Sequence, residues 1–218
     1  MQKNFEAAFF DFDGTIADTG EGIFESAQFA LASMGYPPAT PEQLRAFIGP
    51  PIFDSFKSIS GGNDEICNEL SRLYRLHYSE GGILLFRVYD GILKLFREIK
   101  ESGMKLAIVS SKPERFIRRI VAHLGEEELF DCIACPLDDN HPESKSELME
   151  RACRTLSLES SEAVMVGDRR FDMEGAGKAG IKSIGVLYGY GSREELVSAG
   201  ADYVAANAEE IKKLLFTK

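Results

Sequence analysis

Two carboxylates one residue apart, Asp11 and Asp13, come after the apolar run Ala7 to Phe10 and stand just before a Gly14-Thr15 turn. In an extended chain, side chains at i and i+2 share a face, so these two would repel unless a cation or a shared proton compensates. Gly14 lets the chain bend sharply past Asp11, which puts both carboxylates around one small site at a strand end. Taken alone, a D-x-D reads more simply as a solvated acidic turn. The rest of the chain must supply a reason to read it otherwise.

The elements that would position the pair can be read from the hydrophobic pattern. Ala7 to Phe10 is a short apolar strand, and from Ile16 a helical pattern places Ile23, Ala27, Ala30, Leu31 and Met34 on one face. Gly35 supplies a stop and Pro37-Pro38 a break. From there to about Val88 the sequence is helical and loop-like with no strand signal, punctuated by Ser60-Gly61-Gly62 and Glu80-Gly81-Gly82. A strand-free block inside an alternating chain is expected to be an inserted, all-helical domain over 17–88. The core domain is then 1–16 with 89–218.

After Tyr89-Asp90-Gly91 strands and helices alternate. Strands are expected at Lys105 to Val109, Cys132 to Cys135, Ala163 to Val166, Ser183 to Leu187 and Tyr203-Val204. Helices fill the intervals, the last capped by Asn207. This rhythm predicts an α/β fold, a doubly wound, mostly parallel, Rossmann-like sheet. In such sheets ligands bind outside the carboxyl ends of the strands.

The residues at the carboxyl end of each strand therefore test the significance of the Asp11 and Asp13 pair. Those two acids end the first strand, Ser110-Ser111-Lys112 the second, and Gly167-Asp168-Arg169-Arg170-Phe171-Asp172 another. Lys145 opens a helix after the loop from Pro136 to Ser144. Each has a bland reading: Asp168 as a helix cap, Ser110 as a turn residue, Lys145 as a solvated first-turn residue. The first turn is nevertheless electrostatically poor for a lysine. Four such residues at one edge of one sheet favour a site over coincidence.

Composition narrows the field. The chain has 218 residues, with 25 Lys and Arg against 35 Asp and Glu and a formal charge of −10. That balance argues against a nucleic-acid backbone or an anionic membrane as partner. No apolar run approaches a membrane span and no signal segment precedes the first strand, so a cytoplasmic protein is expected. Cys132 and Cys135 have C-x-x-C spacing, but no second pair completes a metal site, and they read as ordinary strand cysteines.

With these residues in place the chain resembles the haloacid dehalogenase superfamily. Its four motifs match, in order, the D-x-D-G-T of Asp11 to Thr15, Ser110, Lys145, and the G-D-x-x-x-D of Gly167 to Asp172. The helical block matches the position of that superfamily's C1 cap. Ile48-Gly49-Pro50-Pro51 and Val109-Ser110-Ser111-Lys112-Pro113 are similar to the phosphoglycolate phosphatase-like branch, with Ser111 standing where many relatives carry Asn.

The resemblance implies a phosphatase working through an aspartyl-phosphate. Asp11 would attack phosphorus, and Asp13 would protonate the leaving alkoxide and later deprotonate water. Ser110 and Lys145 complete the catalytic set. A phosphate dianion approaching these acids needs a cation, and oxygen-only ligands suit Mg2+. The resemblance assigns Mg2+ to Asp11, Asp168 and the carbonyl of Asp13, with Asp172 in direct or water-mediated contact. Gly14, Thr15, Ser111 and the cap residue Arg45 are the expected substrate contacts.

Rival readings remain. A dehalogenase would leave Asp13, Asp168 and Asp172 without a task. A phosphomutase of the β-phosphoglucomutase type keeps every motif and changes only the acceptor. A phospho-acceptor signalling module would carry its aspartate after a middle strand, and a non-catalytic binding protein would not need the full set. The expected substrate is a small phosphorylated metabolite, such as phosphoglycolate or a nucleoside monophosphate, handled by a monomer or homodimer. Lys57, Phe47, Ile48 and Phe53 are further cap candidates, and His77, His123 and His141 read as surface or cap residues.

Overall fold

The computed structural model of the chain describes residues 2–137 and 143–217. In chain order the principal elements begin with β1 (Ala7–Phe10), α1 (Gly20–Ser33), α2 (Pro41–Arg45), α3 (Ile52–Ser60), α4 (Asp64–Glu80) and α5 (Ile92–Glu101). Next come β2 (Lys105–Val109), α6 (Glu114–Leu124), β3 (Cys132–Ala134), α7 (Lys145–Leu156) and β4 (Ala163–Gly167). The chain continues through α8 (Arg170–Ala179), β5 (Lys182–Val186), α9 (Arg193–Ser198), β6 (Tyr203–Ala205) and α10 (Ala208–Leu215). Two compact units result, one of Met1–Ala17 with Val88–Lys218, the other of Asp18–Arg87.

The first unit is an α/β layer structure. Its six-stranded sheet has the order β3-β2-β1-β4-β5-β6, and every pairing is parallel. Parallel strands are covered on both faces and so read as unbroken apolar runs. All of Ala7–Phe10 and Ala163–Gly167 is buried, as is Leu106 to Val109. The covering helices show the complementary pattern: α5 buries Ile92, Leu95, Phe96 and Ile99, and α6 buries Phe116, Ile117, Ile120 and Val121. Spacings of three and four residues give each helix a single apolar stripe for the sheet.

The order of strands matters more for function than their number. The chain winds outward from β1 to β2 and β3, then returns to the other side of β1 to lay down β4, β5 and β6. The reversal falls between β1 and β4, where a doubly wound sheet opens a crevice at its carboxyl edge. Phe10 pairs with Ile108 on one side and Val166 on the other, so the three central strands end level with one another.

Local corrections to the sequence reading have identifiable causes. The first helix begins at Gly20 rather than Ile16, because the Phe12 carbonyl accepts from the amides of Ile16 and Ala17 at 3.0 and 3.1 Å and ties that segment into a turn. Asp168 does not cap α8. The Arg169 amide donates to Asp172 Oδ2 at 3.2 Å and the Arg170 amide to Glu195 Oε1 at 3.0 Å, which satisfies the start of that helix without Asp168. Asn207 does cap α10, its Oδ1 accepting from the Glu210 amide at 3.0 Å.

The second unit is built of α1 to α4. Its core carries an aromatic chain: Phe47 and Phe56 meet edge to face at 4.9 Å, and Tyr74 and Tyr78 stack at 5.6 Å. Arg45 is exposed in the last turn of α2, and Lys57 pairs with Asp64 at 2.9 Å. Phe47 and Ile48 are buried in this unit and Phe53 is half-buried. His77 is half-buried against Ser26 Oγ at 3.0 Å, and His123 is exposed in the last turn of α6. His141 lies outside the described residues. Among the described residues no helix is long and apolar enough to cross a membrane. Cys132 and Cys135 are free thiols, and burial pushes Cys135 up to about 12.

Candidate active site

Each acidic group reaches the carboxyl edge of the sheet on a different element. β1 delivers Asp11, whose amide extends the ladder one residue further by donating to the Val166 carbonyl at 3.0 Å. β4 delivers Asp168, and the first turn of α8 delivers Asp172. Lys145 arrives as the first residue of α7, behind a capping box in which Ser144 Oγ accepts the Glu147 amide. The buried face of α7 is Lys145, Leu148, Met149, Ala152 and Cys153, so the lysine occupies the first position of an apolar stripe. Helix periodicity therefore aims its ammonium inward, despite an unfavourable helix dipole.

Three carboxylates and one ammonium meet there. One oxygen from each of Asp11, Asp168 and Asp172 lies within 4.8 Å of the others, and all three residues are buried. Lys145 Nζ lies 2.8 Å from Asp11 Oδ1 and 2.8 Å from Asp172 Oδ1, and donates to the Val109 carbonyl at 3.1 Å. The Phe12 amide donates to Asp11 Oδ1 at 2.7 Å. Asp168 is held at both oxygens: Oδ1 accepts the Thr15 hydroxyl at 3.1 Å and Oδ2 the Tyr190 amide at 2.8 Å.

The charges do not balance. Burial pushes the Asp168 carboxyl well above the usual range, and the charge of Asp172 adds to it. Asp172 is raised by its own burial, with Lys145 opposing. Burial would lower Lys145, but Asp11 and Asp172 outweigh it and keep the ammonium charged. With all three carboxylates ionised, one ammonium leaves a buried excess of negative charge, which either proton uptake or a bound cation relieves. Among the described residues Asp172 Oδ1 touches Lys145 as an ion pair at 2.8 Å but has no donor that meets hydrogen-bond angles. An oxygen-only donor set with surplus negative charge and an unfilled acceptor fits a small hard divalent cation. Asp11, Asp168 and Asp172 are the side chains that would hold it.

The remaining residues expected from sequence take these positions. Asp13 is half-buried in the turn after β1, and Gly14 adopts φ +79°, where a Cβ would stand 2.1 Å from Asp168 Oδ2. Only glycine admits that approach. Thr15 is buried and bonded to Asp168. Ser110 is buried one residue past β2, and Ser111 beside it is half-buried. Arg45 belongs to the helical unit.

Three neighbours escaped the sequence reading as site residues. Lys112 Nζ lies 2.9 Å from Asp13 Oδ1. The Tyr188 hydroxyl donates to the Thr15 carbonyl at 2.9 Å, and the Tyr190 amide donates to Asp168. Both tyrosines lie in Leu187-Tyr188-Gly189-Tyr190-Gly191, the segment just past the carboxyl end of β5. The strand-end rule that located the acids points to this segment as well.

Similarity to known proteins agrees with this geometry. The family description Haloacid dehalogenase-like hydrolase matches residues 8–186. A 5'-nucleotidase of Pseudomonas aeruginosa is 34% identical over 206 residues, 94% of this chain and 93% of that protein. Tyrosine-protein kinase PtkA of Mycobacterium tuberculosis is 33% identical over 205 residues, 94% of this chain and 69% of that one. The crystal structure of a predicted phosphatase from Clostridium acetobutylicum superposes with a TM-score of 0.90 at 35% identity, covering 97% of this chain and 98% of that one. A parallel sheet with Asp11, Lys145, Asp168 and Asp172 at its carboxyl edge, matched along most of its length by that description, places the chain in the haloacid dehalogenase-like hydrolases.

Proposed function

We propose that the protein is a Mg2+-dependent phosphatase that hydrolyses a small phosphomonoester through a phosphorylated Asp11. The carrying observation is the placement of Asp11, which faces Lys145 at 2.8 Å within the cluster shared with Asp168 and Asp172. A bound Mg2+ would neutralise charge on the phosphoryl oxygens. Asp11 attacks phosphorus in line, and Asp13 supplies the proton to the leaving alkoxide. Asp13 then takes a proton from the water that hydrolyses the intermediate. Lys145 offsets charge on the nucleophile, while Ser110 and the amide of Ser111 bond phosphoryl oxygens. Gly14 and Thr15 shape the turn beside the substrate. Arg45 is the proposed contact for a second anionic group.

Phosphoglycolate and nucleoside monophosphates are the substrates proposed. Resemblance to the phosphoglycolate phosphatase-like branch supports the first, and similarity to a 5'-nucleotidase supports the second. The setting proposed is the cytoplasm, with the protein a monomer or homodimer. The test is phosphate release across a panel of phosphometabolites, with Mg2+ and with a chelator. Mg2+-dependent release from a subset is expected. Isomerised sugar phosphate in place of released phosphate would make it a mutase, and no turnover of any phosphomonoester with Mg2+ would overturn the proposal.

A further inference from the structure

Lys112 is a buried cation with no task in the phosphatase mechanism as proposed. It is 8% exposed, and its Nζ lies 2.9 Å from Asp13 Oδ1. A buried ion pair gains little stability over apolar packing of similar volume, so stability alone does not account for it. Its two ends are anchored by separate turns. The Lys112 amide donates to Ser110 Oγ at 3.4 Å, and Pro113 comes next with φ −52°, immediately before α6. Around Asp13, the Gly14 amide donates to the Ala17 carbonyl at 2.9 Å and the Ile16 amide to the Phe12 carbonyl at 3.0 Å. Both backbones are held, and the contact draws the Asp13 side chain toward Lys112. That carboxylate stands outside the cluster of Asp11, Asp168 and Asp172.

We propose that Lys112 is a positioning residue that keeps the Asp13 carboxyl out of the cation cluster and aimed for proton transfer. The inference rests on the phosphatase reading of the site. As the phosphomonoester binds as its monoanion it hands its proton to the Asp13 carboxylate. In the first step the bond from Asp11 to phosphorus then forms, the bond from phosphorus to the leaving oxygen breaks, and that proton passes from Asp13 to the leaving oxygen. In the second, water oxygen bonds phosphorus, the bond to Asp11 breaks, and the water proton returns to Asp13. Lys112 keeps its own proton throughout.

The test compares kcat/KM on 4-nitrophenyl phosphate, whose leaving group needs little proton help, with kcat/KM on an alkyl phosphomonoester. That ratio covers the steps through departure of the leaving group. Lys112→Met is expected to lower the alkyl value about 100-fold and the nitrophenyl value less than about 10-fold, in the range of a lost general acid. Lys112→Arg should restore part of the loss. In an Asp13→Asn background, Lys112→Met should add no further loss. Lys112→Gln serves the same comparison if the Met variant does not fold. An equal fall on both substrates, or a loss that adds to that of Asp13→Asn, would overturn the proposal for Lys112 alone. If Asp13→Asn itself fails to discriminate between the substrates, the role of Asp13 falls and this inference with it.

Discussion

Lys145 Nζ and Asp172 Oδ1 stand 2.8 Å apart, their side chains only 6% and 1% exposed. The same ammonium also reaches Asp11, so one cation holds together two carboxylates brought in by different elements. Removing it leaves those charges buried and unpaired. Lys145→Met is therefore expected to cost about 3–5 kcal/mol of stability in the presence of a chelator. Urea unfolding measures this, and Mg2+ should restore part of the loss. A wild-type midpoint in the chelated variant would show that the pair does not hold the site together. Turnover should fall by about 100-fold or more.

The two carboxylates of the first turn should fail differently. Asp11→Asn is expected to fold normally and to yield neither product nor acid-stable phosphoenzyme. Asp13→Asn should slow turnover by about 100-fold or more, as a lost acid and base does, with phosphoenzyme accumulating. Acid quenching with labelled substrate separates the two. Identical behaviour of both variants would contradict the division of labour.

Asp168 and Asp172 carry a sign that can be checked. Both have folded-state values raised above the ordinary carboxylate value, chiefly by burial. Between about pH 4, the ordinary value, and the raised folded value, the folded state binds more protons than the unfolded chain. Their contribution is thus fully present below about pH 4 and is lost as pH rises through the folded values. Metal-free protein should gain stability from this pair on moving from neutral to mildly acidic pH, and Mg2+ should stabilise most at neutral pH. Melting temperatures at pH 7 and pH 5, with Mg2+ and with chelator, test both statements against Asp168→Asn, which should show a flatter dependence. A wild type and variant with superimposable pH curves would be the contrary result.

Two glycines of α8 should respond oppositely to alanine. A Cβ at Gly175 would lie 2.6 Å from the Lys145 Cβ, whereas at Gly177 nothing lies within 4 Å. Gly175→Ala is expected to push α7 away, costing about 1–3 kcal/mol and lowering activity as Lys145 shifts. Gly177→Ala should stabilise by up to about 1 kcal/mol through helix propensity, with activity unchanged. Paired urea titrations and activity measurements decide. Equal effects would mean that the close packing of α7 on α8 does not govern Lys145.

The alternation of strands and helices was legible because each element carries a local pattern. Ala7 to Phe10 and Ala163 to Val166 are too apolar for anything but a covered strand, and their polar successors mark where each strand ends. The polar residues that the structure places at or beside the carboxyl edge of the sheet could likewise be read there: Asp11, Asp13, Ser110, Lys145, Asp168 and Asp172. Lys112 was passed over because a lysine in a turn is ordinarily solvated, and no local pattern signals that it is buried against Asp13. Tyr188 and Tyr190 lie where the strand-end rule points, but a backbone amide and a single hydroxyl add no compositional signal to mark them.

By itself, then, the sequence determined an α/β chain with a helical insertion and a set of acids, hydroxyl and lysine at strand ends, since periodicity and turn chemistry act over a few residues. Tertiary structure alone decided the order β3-β2-β1-β4-β5-β6. Strand order depends on which distant strands pair after each crossover, and no short stretch encodes it. That order sets β1 beside β4, brings Asp11, Lys145, Asp168 and Asp172 together, and lays Lys112 against Asp13.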